Sequence, residues 1–329
     1  MLETYGQAIM TAKRVVVVLG MHRSGTSLLA GALGILGVCL GSRLIQGDAN
    51  NEEGYFEHEV IVGLHKRLQA ILDRRWTGPK GSLDYPDGWW TRADVREIEA
   101  QLRKTVSEEI GKALGLWGFK DPRTTRVLAM WRRIFAELGV EPVYFLSVRN
   151  PMAVAASVAR RDDLSTGRAQ LLWLQHNLDA LRDLKDQSLH IVDYDQWFTD
   201  LGGQVHRIAS ALSMNGSDER TGVQERVSGL VHKGMRHHKG ESGASIRLVR
   251  ELYSGLAEAS ATGTIPEGVW RLEAEFAEAK HLLGGWSELI EGLVDPRARS
   301  TVRPVRDVGT KIARLMGAVR RGPSGEMES

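Results

Sequence analysis

The sequence predicts an α/β fold in which helices cover both faces of a central parallel sheet, giving three layers. Residues 14–19 form an apolar run that is typical of a buried strand. A glycine-bounded loop leads from this run into a helical pattern at residues 27–36, which is the beginning of a β–α–β unit. Residues 143–148 have the length and composition of a second buried strand, and residues 190–194 are a third strand candidate.

The remaining elements follow from periodicity along the chain. Apolar residues at helical spacing predict helices at residues 60–72, 92–115, 124–138, 152–161, 166–184, 245–259 and 269–283. Residues 76–90 are rich in Gly, Pro and Asp and predict a loop or lid. Strand patterns fade after about residue 216. We therefore expect a lead-in at residues 1–12, an α/β domain at residues 13–240, a helical extension at residues 241–296 and a basic tail at residues 297–329.

Composition narrows the classes of protein to consider. The 43 Lys and Arg residues nearly balance the 41 Asp and Glu residues, so the net charge predicts no nucleic-acid partner. The single cysteine, Cys39, excludes an intramolecular disulfide, and its apolar neighbours predict that it is buried. No apolar run has the length of a membrane span or a signal peptide, so we expect a cytoplasmic protein. The basic amphipathic pattern at residues 308–321 predicts a packed terminal helix or, alternatively, a contact with the inner membrane face.

The loop after the first strand predicts an anion-binding site. Residues 20–27, the cradle loop, read Gly-Met-His-Arg-Ser-Gly-Thr-Ser. Gly20 and Gly25 let the backbone wrap closely, the start of the next helix presents N–H groups, and Arg23 adds a full positive charge. The spacing is that of the nucleotide-binding P-loop, but Thr26 stands where that motif has a lysine that reaches the β- and γ-phosphates. Thr26 in place of the lysine argues against an ordinary ATPase or kinase. The alternative to an anion-binding site is a glycine-rich turn that binds no ligand.

Two segments together resemble a known family. The cradle loop is similar to the loop of sulfotransferases that binds the 5′ end of 3′-phosphoadenosine 5′-phosphosulfate (PAPS), where Arg or Lys precedes Ser-Gly-Thr. The segment Arg-Asn-Pro-Met-Ala-Val-Ala-Ala-Ser, which begins at Arg149 and ends at Ser157, resembles the second signature of that family. The resemblance implies that Arg149 and Ser157 bind the 3′-phosphate, whereas alone they would indicate a helix start and a small packing residue. It implies that the cradle loop acts through His22, Arg23, Ser24, Gly25, Thr26 and Ser27.

Two weaker similarities complete the predicted cofactor site. Residues 192–195 and 206–212 are similar to the strand and helix that follow the cofactor site in the family, which suggests that Tyr194 lies near the adenine, although packing in the core explains a tyrosine there at least as well. Lys233 and Arg236 lie in a basic, Gly-containing segment similar to the one that closes over the 3′-phosphate in sulfotransferases. A solvated run of charge is the alternative for that segment. Its histidines have no cysteines or carboxylates beside them, so we expect no metal site.

Sulfuryl transfer needs a base for the proton of the acceptor and a cation near the leaving oxygen. Residues 50–58 resemble a stretch of bacterial sulfotransferases that ends in Gly-Tyr-Phe-Glu, and related enzymes use a Glu of this region as the base. Glu57 is the first candidate, and Glu53 and His58 are the alternates. Glu-Glu at residues 52–53 departs from the Pro and Lys expected there. A carboxylate that stabilises the start of a helix is the competing interpretation of Glu57.

A second polar segment offers the cations. Residues 118–123, Gly-Phe-Lys-Asp-Pro-Arg, resemble an element of the same bacterial group. Lys120 and Arg123 are candidates for stabilising the transferred group, with Asp121 orienting one of them. Asp-Pro followed by Arg-Thr-Thr is also a favourable start of a helix, which is the alternative.

The sequence thus predicts an enzyme that moves the sulfuryl group of PAPS to a hydroxyl or amine without a metal. The resemblance suggests a carbohydrate, a glycolipid or a small metabolite as the acceptor. A nucleotide-dependent phosphotransferase and a non-catalytic nucleotide-binding module are the alternatives. Thr26 and the pair formed by Arg149 and Ser157 argue against the first of these.

Overall fold

The structure is a computed structural model that describes residues 13–47, 54–78, 80–214, 220–231 and 246–282. Its strands are β1 (Lys13–Leu19), β2 (Trp117–Lys120), β3 (Val140–Val148) and β4 (Leu189–Asp193). Within the described residues they form a four-stranded parallel sheet in the order β2-β1-β3-β4. The strands predicted near residues 14–19, 143–148 and 190–194 are confirmed, and so is the α/β class.

Strand β2 is an element that the sequence patterns do not predict. It has four residues and contains Gly118, which lies opposite Val16 of β1. A Cβ atom on Gly118 would lie 2.8 Å from the Cβ atom of Val16, so this close approach of the two strands requires glycine. The strand ends at Lys120 and therefore brings that side chain to the carboxyl edge of the sheet.

The helices follow the predicted order with shifted ends. They are α1 (Thr26–Ile35), α2 (Glu59–Ile71), α3 (Ala93–Lys112), α4 (Leu128–Leu138), α5 (Pro151–Asp162), α6 (Thr166–Asp183), α7 (Gln196–Thr199), α8 (Leu201–Ala211), α9 (Arg220–Leu230), α10 (Arg247–Thr262) and α11 (Glu267–Leu282). The single helix predicted at residues 124–138 is wrong at its beginning. Pro122–Arg126 forms a 3₁₀ turn capped by Asp121, and Val127, with φ −129°, separates this turn from α4.

Alternating side chains of β1 divide the interior into two cores. Val15 and Val17 face the core that α2, α3, α4 and α6 cover. Val16 and Val18 face the opposite core, which α1, α8 and α9 cover. Helices α10 and α11, in the predicted helical extension, add apolar side chains such as Leu252 to the first core. The described part of this extension therefore packs on the sheet domain itself.

The predicted burial of Cys39 is wrong, because its side chain is exposed. Residues 38–40 run extended beside β2, and Cys39 forms a bridge with Trp117. Side chains alternate in extended chain, so Val38 and Leu40 point inward, at 3% and 8% exposure, and Cys39 points outward.

The ends of the chain carry several predictions that lie outside the described residues. These are the lead-in at residues 1–12, the basic tail at residues 297–329 and the amphipathic pattern at residues 308–321. Within the described ranges, no helix has the length and apolar character needed to cross a bilayer.

Candidate functional site

The candidate site lies at the carboxyl edge of the sheet. The cradle loop follows β1, Lys120 ends β2, Arg149 follows β3 and Tyr194 follows β4. Because the strands are parallel, their carboxyl ends reach the same edge, where ligands of open α/β sheets bind. Sequence segments that are more than 150 residues apart, such as those of Arg23 and Tyr194, therefore meet at one place.

Two glycines give the cradle loop its shape. Gly20 has φ 133°, and a Cβ atom there would lie 2.5 Å from the carbonyl oxygen of Ser147. The N–H of Gly20 donates to Thr125 Oγ1 at 3.1 Å. Gly25 has φ 88°, and a Cβ atom there would lie 2.2 Å from the ring of Tyr194. Both positions therefore require glycine for conformation and for space.

The loop ends at the N-terminus of α1, which suits an anion. Gly25 is the N-cap of this ten-residue helix, and within the described ranges no side chain caps its first N–H groups. These groups carry partial positive charge because intrahelical carbonyls do not pair with them. The hydroxyl oxygen of Ser24, in the loop, is buried and has no hydrogen-bond partner within the described part of the chain. The loop thus offers donors of the kind that phosphate and sulfate oxygens accept.

The two family-like segments contact each other directly. Arg23 Nε donates to Ser157 Oγ at 2.9 Å, so the cradle loop and α5 are joined at their predicted ligand-binding residues. Arg149 Nη1 donates to the carbonyl oxygen of Arg23 at 3.2 Å, and its guanidinium lies 4.3 Å from the centre of the Tyr194 ring. The structure therefore brings Arg23, Arg149, Ser157 and Tyr194 together, as the sequence-based site requires.

Of the two arginines of this junction, Arg149 is a buried positive charge and Arg23 is half-buried. Burial lowers the pKa of Arg23 below its usual value, and repulsion from Arg161 and Arg149 lowers it further. Burial is also the main cause of the lowered pKa of Arg149, whose side chain is 8% exposed. A lowered arginine pKa means that the surroundings do not fully compensate the charge. A bound polyanion would supply that compensation.

Lys120 connects the cradle loop to Glu57. Its Nζ donates to Ser27 Oγ at 3.2 Å, to the Tyr55 carbonyl oxygen at 2.8 Å and to Glu57 Oε1 at 2.8 Å. The ammonium group is buried, and burial lowers its pKa while Glu57 opposes that shift. One cation therefore touches both the start of α1 and the first candidate for the base.

Asp121 holds Arg123 beside the same carboxylate. Asp121 Oδ1 accepts from the backbone N–H of Arg123 at 3.0 Å and from Arg123 Nη1 at 2.8 Å. Arg123 Nη1 also lies 3.7 Å from Glu57 Oε2. Asp121 thus caps the 3₁₀ turn and also binds the side chain of Arg123. The start of a helical turn and the orientation of Arg123, which the sequence left as alternatives, are therefore compatible.

His22 and His58 are placed differently from the other predicted site residues. The His22 ring stacks on Trp76, with 4.2 Å between ring centres. Burial, followed by the charges of Arg123 and Arg161, lowers the pKa of His22 well below its usual value, so the ring is neutral at pH 7. The His58 ring faces the carboxylate of Glu109, 3.8 Å from Nε2, whereas the side chain of its neighbour Glu57 contacts Lys120.

Three predicted site residues, Glu53, Lys233 and Arg236, lie outside the described residues. Conversely, the structure adds residues that the patterns missed. Ser147 Oγ donates to the Ser24 carbonyl at 2.7 Å and anchors the cradle loop to β3. A serine at the end of a buried apolar strand was the available signal for this contact.

No cluster of three or more His, Cys, Asp or Glu side chains suited to a metal ion occurs among the described residues. A cavity of about 480 Å³ lies on another flank, between β4, α8 and α10. Its lining, which includes Phe145, Ile208 and Ala259, shares no residue with the cradle loop.

Comparisons with known proteins gave matches among solved structures. No family model and no curated protein matches the chain. The sulfotransferase domain of the Synechococcus PCC 7002 olefin synthase is 17% identical, with a TM-score of 0.44, over 81% of this chain and 95% of that one. The sulfotransferase domain from the curacin biosynthetic pathway is 15% identical, with a TM-score of 0.40, over 80% and 98%. The sulfotransferase STF1 from Mycobacterium tuberculosis H37Rv is 15% identical, with a TM-score of 0.38, over 69% and 76%.

Proposed function

We propose that this chain transfers the sulfuryl group of PAPS to a hydroxyl or amine of an acceptor. The observation that carries the proposal is the part-buried junction of Arg23, Ser157 and Arg149 beside the start of α1, whose first N–H groups no described side chain caps. Two phosphate-binding regions in contact suit a ligand with phosphate groups at both its 5′ and 3′ ends.

The residues of the site fit PAPS. The cradle loop offers a 5′-phosphosulfate its glycine-dependent shape, the half-buried Arg23 and the Ser24 hydroxyl, which has no hydrogen-bond partner among the described residues. Arg149 and Ser157 are the proposed ligands of the 3′-phosphate. When bound, PAPS would supply a sulfuryl group whose S–O bond to the 5′-phosphate breaks as an S–O bond to an acceptor hydroxyl, or an S–N bond to an acceptor amine, forms, leaving PAP.

Glu57, Lys120 and Arg123 are the proposed catalytic groups. Glu57 accepts the proton of the acceptor, and its two oxygens are oriented by Lys120 at 2.8 Å and by Arg123 at 3.7 Å. Lys120 also contacts Ser27 at the start of α1, where it can stabilise negative charge that grows on the leaving oxygen. His58 remains an alternate base that faces Glu109 in this structure.

The position of Lys120 argues against a Mg²⁺-dependent nucleoside triphosphate as the substrate. In the P-loop spacing, Ser27 occupies the position of the hydroxyl that binds Mg²⁺. Here that hydroxyl accepts from Lys120 Nζ at 3.2 Å, so a divalent cation at Ser27 would have to displace this hydrogen bond. The lysine therefore supports sulfuryl rather than phosphoryl transfer.

The acceptor and the setting remain part of the proposal. The resemblance to sulfotransferases suggests a carbohydrate, a glycolipid or a small metabolite with a free hydroxyl or amine. We propose a cytoplasmic location. The basic amphipathic pattern at residues 308–321, within the basic tail, is the segment that would contact a membrane surface.

Calorimetric titration with PAP tests the function, with ADP and ATP as comparators. Arg149→Ala removes charge-assisted hydrogen bonds worth about 1.5–3 kcal/mol, so we expect PAP affinity to fall about 10- to 100-fold. Arg132→Ala is the matched control, since Arg132 is exposed on α4, away from the cradle loop, and donates to the Asp183 carbonyl. PAP binding no tighter than ADP binding would favour a phosphotransferase. Tight PAP binding without turnover of labelled PAPS by any acceptor would indicate a non-catalytic module.

A further inference from the structure

A buried chain of hydrogen bonds runs from the helical layer to the candidate catalytic site. Trp131 Nε1 of α4 lies 3.0 Å from His65 Nε2 of α2. His65 Nδ1 lies 2.8 Å from Asp121 Oδ2, and Asp121 Oδ1 accepts from Arg123. Trp131, His65 and Asp121 are at most 1% exposed. Water therefore does not compete for any bond of the chain that precedes Arg123.

The chemistry of tryptophan decides which nitrogen of His65 carries the proton. The indole N–H can only donate, so His65 Nε2 must accept and has no proton. The proton of the neutral ring is then on Nδ1, which donates to the Asp121 carboxylate. A charged imidazolium would place two N–H donors against each other at Nε2. The ring is therefore fixed in one tautomer and one orientation.

Asp121 transmits this orientation to Arg123. One oxygen of the carboxylate accepts from His65, and the other accepts from the backbone and side chain of Arg123. Burial alone would raise the pKa of Asp121, but the charge of Arg123 and the hydrogen bonds from His65 and the Arg123 backbone outweigh it and hold the pKa well below its usual range. The carboxylate is thus ionised and held on both sides, which leaves Arg123 little freedom to turn.

Arg123 keeps binding capacity for a ligand. Its Nη1 is shared between Asp121, at 2.8 Å, and Glu57, at 3.7 Å. Its Nε is buried and has no hydrogen-bond partner among the residues that the structure describes. A buried guanidinium with an unused donor is a group that a sulfuryl oxygen can satisfy.

We propose that His65 is a positioning residue which, through Asp121, holds the Arg123 guanidinium in the orientation needed to stabilise the transferred sulfuryl group. The proposal rests on the proposed function. The competing interpretation is that the chain only stabilises the packing of α2 against α4. The two interpretations differ because positioning depends on the bond from His65 to Asp121, whereas packing depends equally on both bonds of the ring.

A matched pair of variants separates the two bonds. In His65→Asn the amide N–H group occupies about the place of Nδ1 and keeps the bond to Asp121. In His65→Gln the amide oxygen reaches about the place of Nε2 and keeps the bond from Trp131. Both variants replace a buried ring by an amide, so urea unfolding should show similar losses of stability.

The assay is sulfuryl transfer from p-nitrophenyl sulfate to PAP, which releases p-nitrophenol, run beside hydrolysis of labelled PAPS. We expect His65→Gln to lower kcat about 10- to 100-fold and His65→Asn to keep most of it, with PAP affinity within about twofold of wild type in both. Equal losses of kcat, or a larger loss in His65→Asn, would overturn the positioning role. Absence of PAP binding in the wild-type protein would instead reject the proposed function.

Nitrogen-15 NMR tests the chain without any turnover. The wild-type His65 ring should be neutral with its proton on Nδ1, and the Arg123 Nε–H signal should be sharp in wild type and His65→Asn but broadened by exchange in His65→Gln. A proton on His65 Nε2, or an Arg123 signal that is unchanged in His65→Gln, would overturn the proposal even if no acceptor is known.

Discussion

The buried pair formed by Lys120 and Glu57 gives the sharpest energetic prediction. The Lys120 and Glu57 side chains are 2% and 10% exposed, so solvent screens their 2.8 Å contact little. Lys120→Met leaves the Glu57 carboxylate buried, with Arg123 at 3.7 Å as its remaining ion-pair partner among the described residues. Removing one partner of a buried ion pair costs about 3–5 kcal/mol, because an uncompensated charge stays behind.

The partner variant and the double variant complete a thermodynamic cycle. Glu57→Gln leaves Lys120 its bonds to Ser27 and to the Tyr55 carbonyl, so we expect a smaller loss of about 1–3 kcal/mol. The double variant buries no unpaired carboxylate. We therefore expect it to be about 2–3 kcal/mol more stable than the sum of the two single losses predicts.

Urea unfolding of the four proteins measures this coupling. The control is the same cycle on Lys104 and Glu108, an exposed pair on α3 whose side chains are 78% and 52% exposed. That pair should show a coupling of about 0.3–0.5 kcal/mol. Additivity of Lys120→Met and Glu57→Gln within about 0.5 kcal/mol would refute the direct pairing on which the proposed catalytic arrangement depends.

Two further predictions concern the loop and the end of β4. Gly25→Ala, at φ 88° and with a Cβ atom 2.2 Å from the Tyr194 ring, should abolish PAP binding in calorimetry. Gly37 has φ 95°, and a Cβ atom there would have no described atom within 4 Å. Gly37→Ala should therefore lower the free energy of unfolding by only about 1–2 kcal/mol, through backbone strain, and leave PAP binding intact. Equal losses of PAP binding in the two variants would contradict the steric argument. Burial raises the pKa of Asp193 to about 6, so the carboxyl group holds its proton more tightly in the folded protein than in the unfolded chain. The contribution of Asp193 to the stability of the protein therefore falls as the pH rises from about 4 to 6. The side chain in Asp193→Asn can still accept from the Asp195 N–H. In urea unfolding, its free energy of unfolding should therefore exceed that of wild type by on the order of 2 kcal/mol at pH 8 and should equal it at pH 3. A stability difference that does not depend on pH would contradict this cause.

The sequence predicts the parts of the site that depend on local chemistry. The cradle loop needs glycines at fixed spacing after a strand, and Arg149 is indicated by the resemblance of its segment to the second sulfotransferase signature. Both signals are visible within about ten residues. The contact between Arg23 and Ser157, by contrast, joins residues 134 positions apart and follows from the pairing of β1 with β3.

Non-local pairing also explains what the sequence did not predict. Strand β2 is short and interrupted by Gly118, so it has no periodic pattern of its own and forms because β1 accepts it as a neighbour. His65 lies on the buried face of α2, where a histidine in a single sequence is not distinguished from an ordinary packed side chain. Its partners, Trp131 and Asp121, come from a later helix and from the end of this unpredicted strand.

The contacts of Lys120 make its loss different in kind from the loss of Arg149. Arg149 contacts the cradle loop and Tyr194, so Arg149→Ala should weaken PAP binding and leave the catalytic groups in place. Lys120 contacts Ser27 at the start of α1 as well as Glu57, so Lys120→Met should weaken PAP binding and lower kcat together. Titration with PAP and turnover of p-nitrophenyl sulfate, measured on both variants, separate these patterns. A Lys120→Met protein with normal PAP affinity would show that the bond to Ser27 does not shape the cradle, and the case against a Mg²⁺-bound triphosphate would then lose its structural basis.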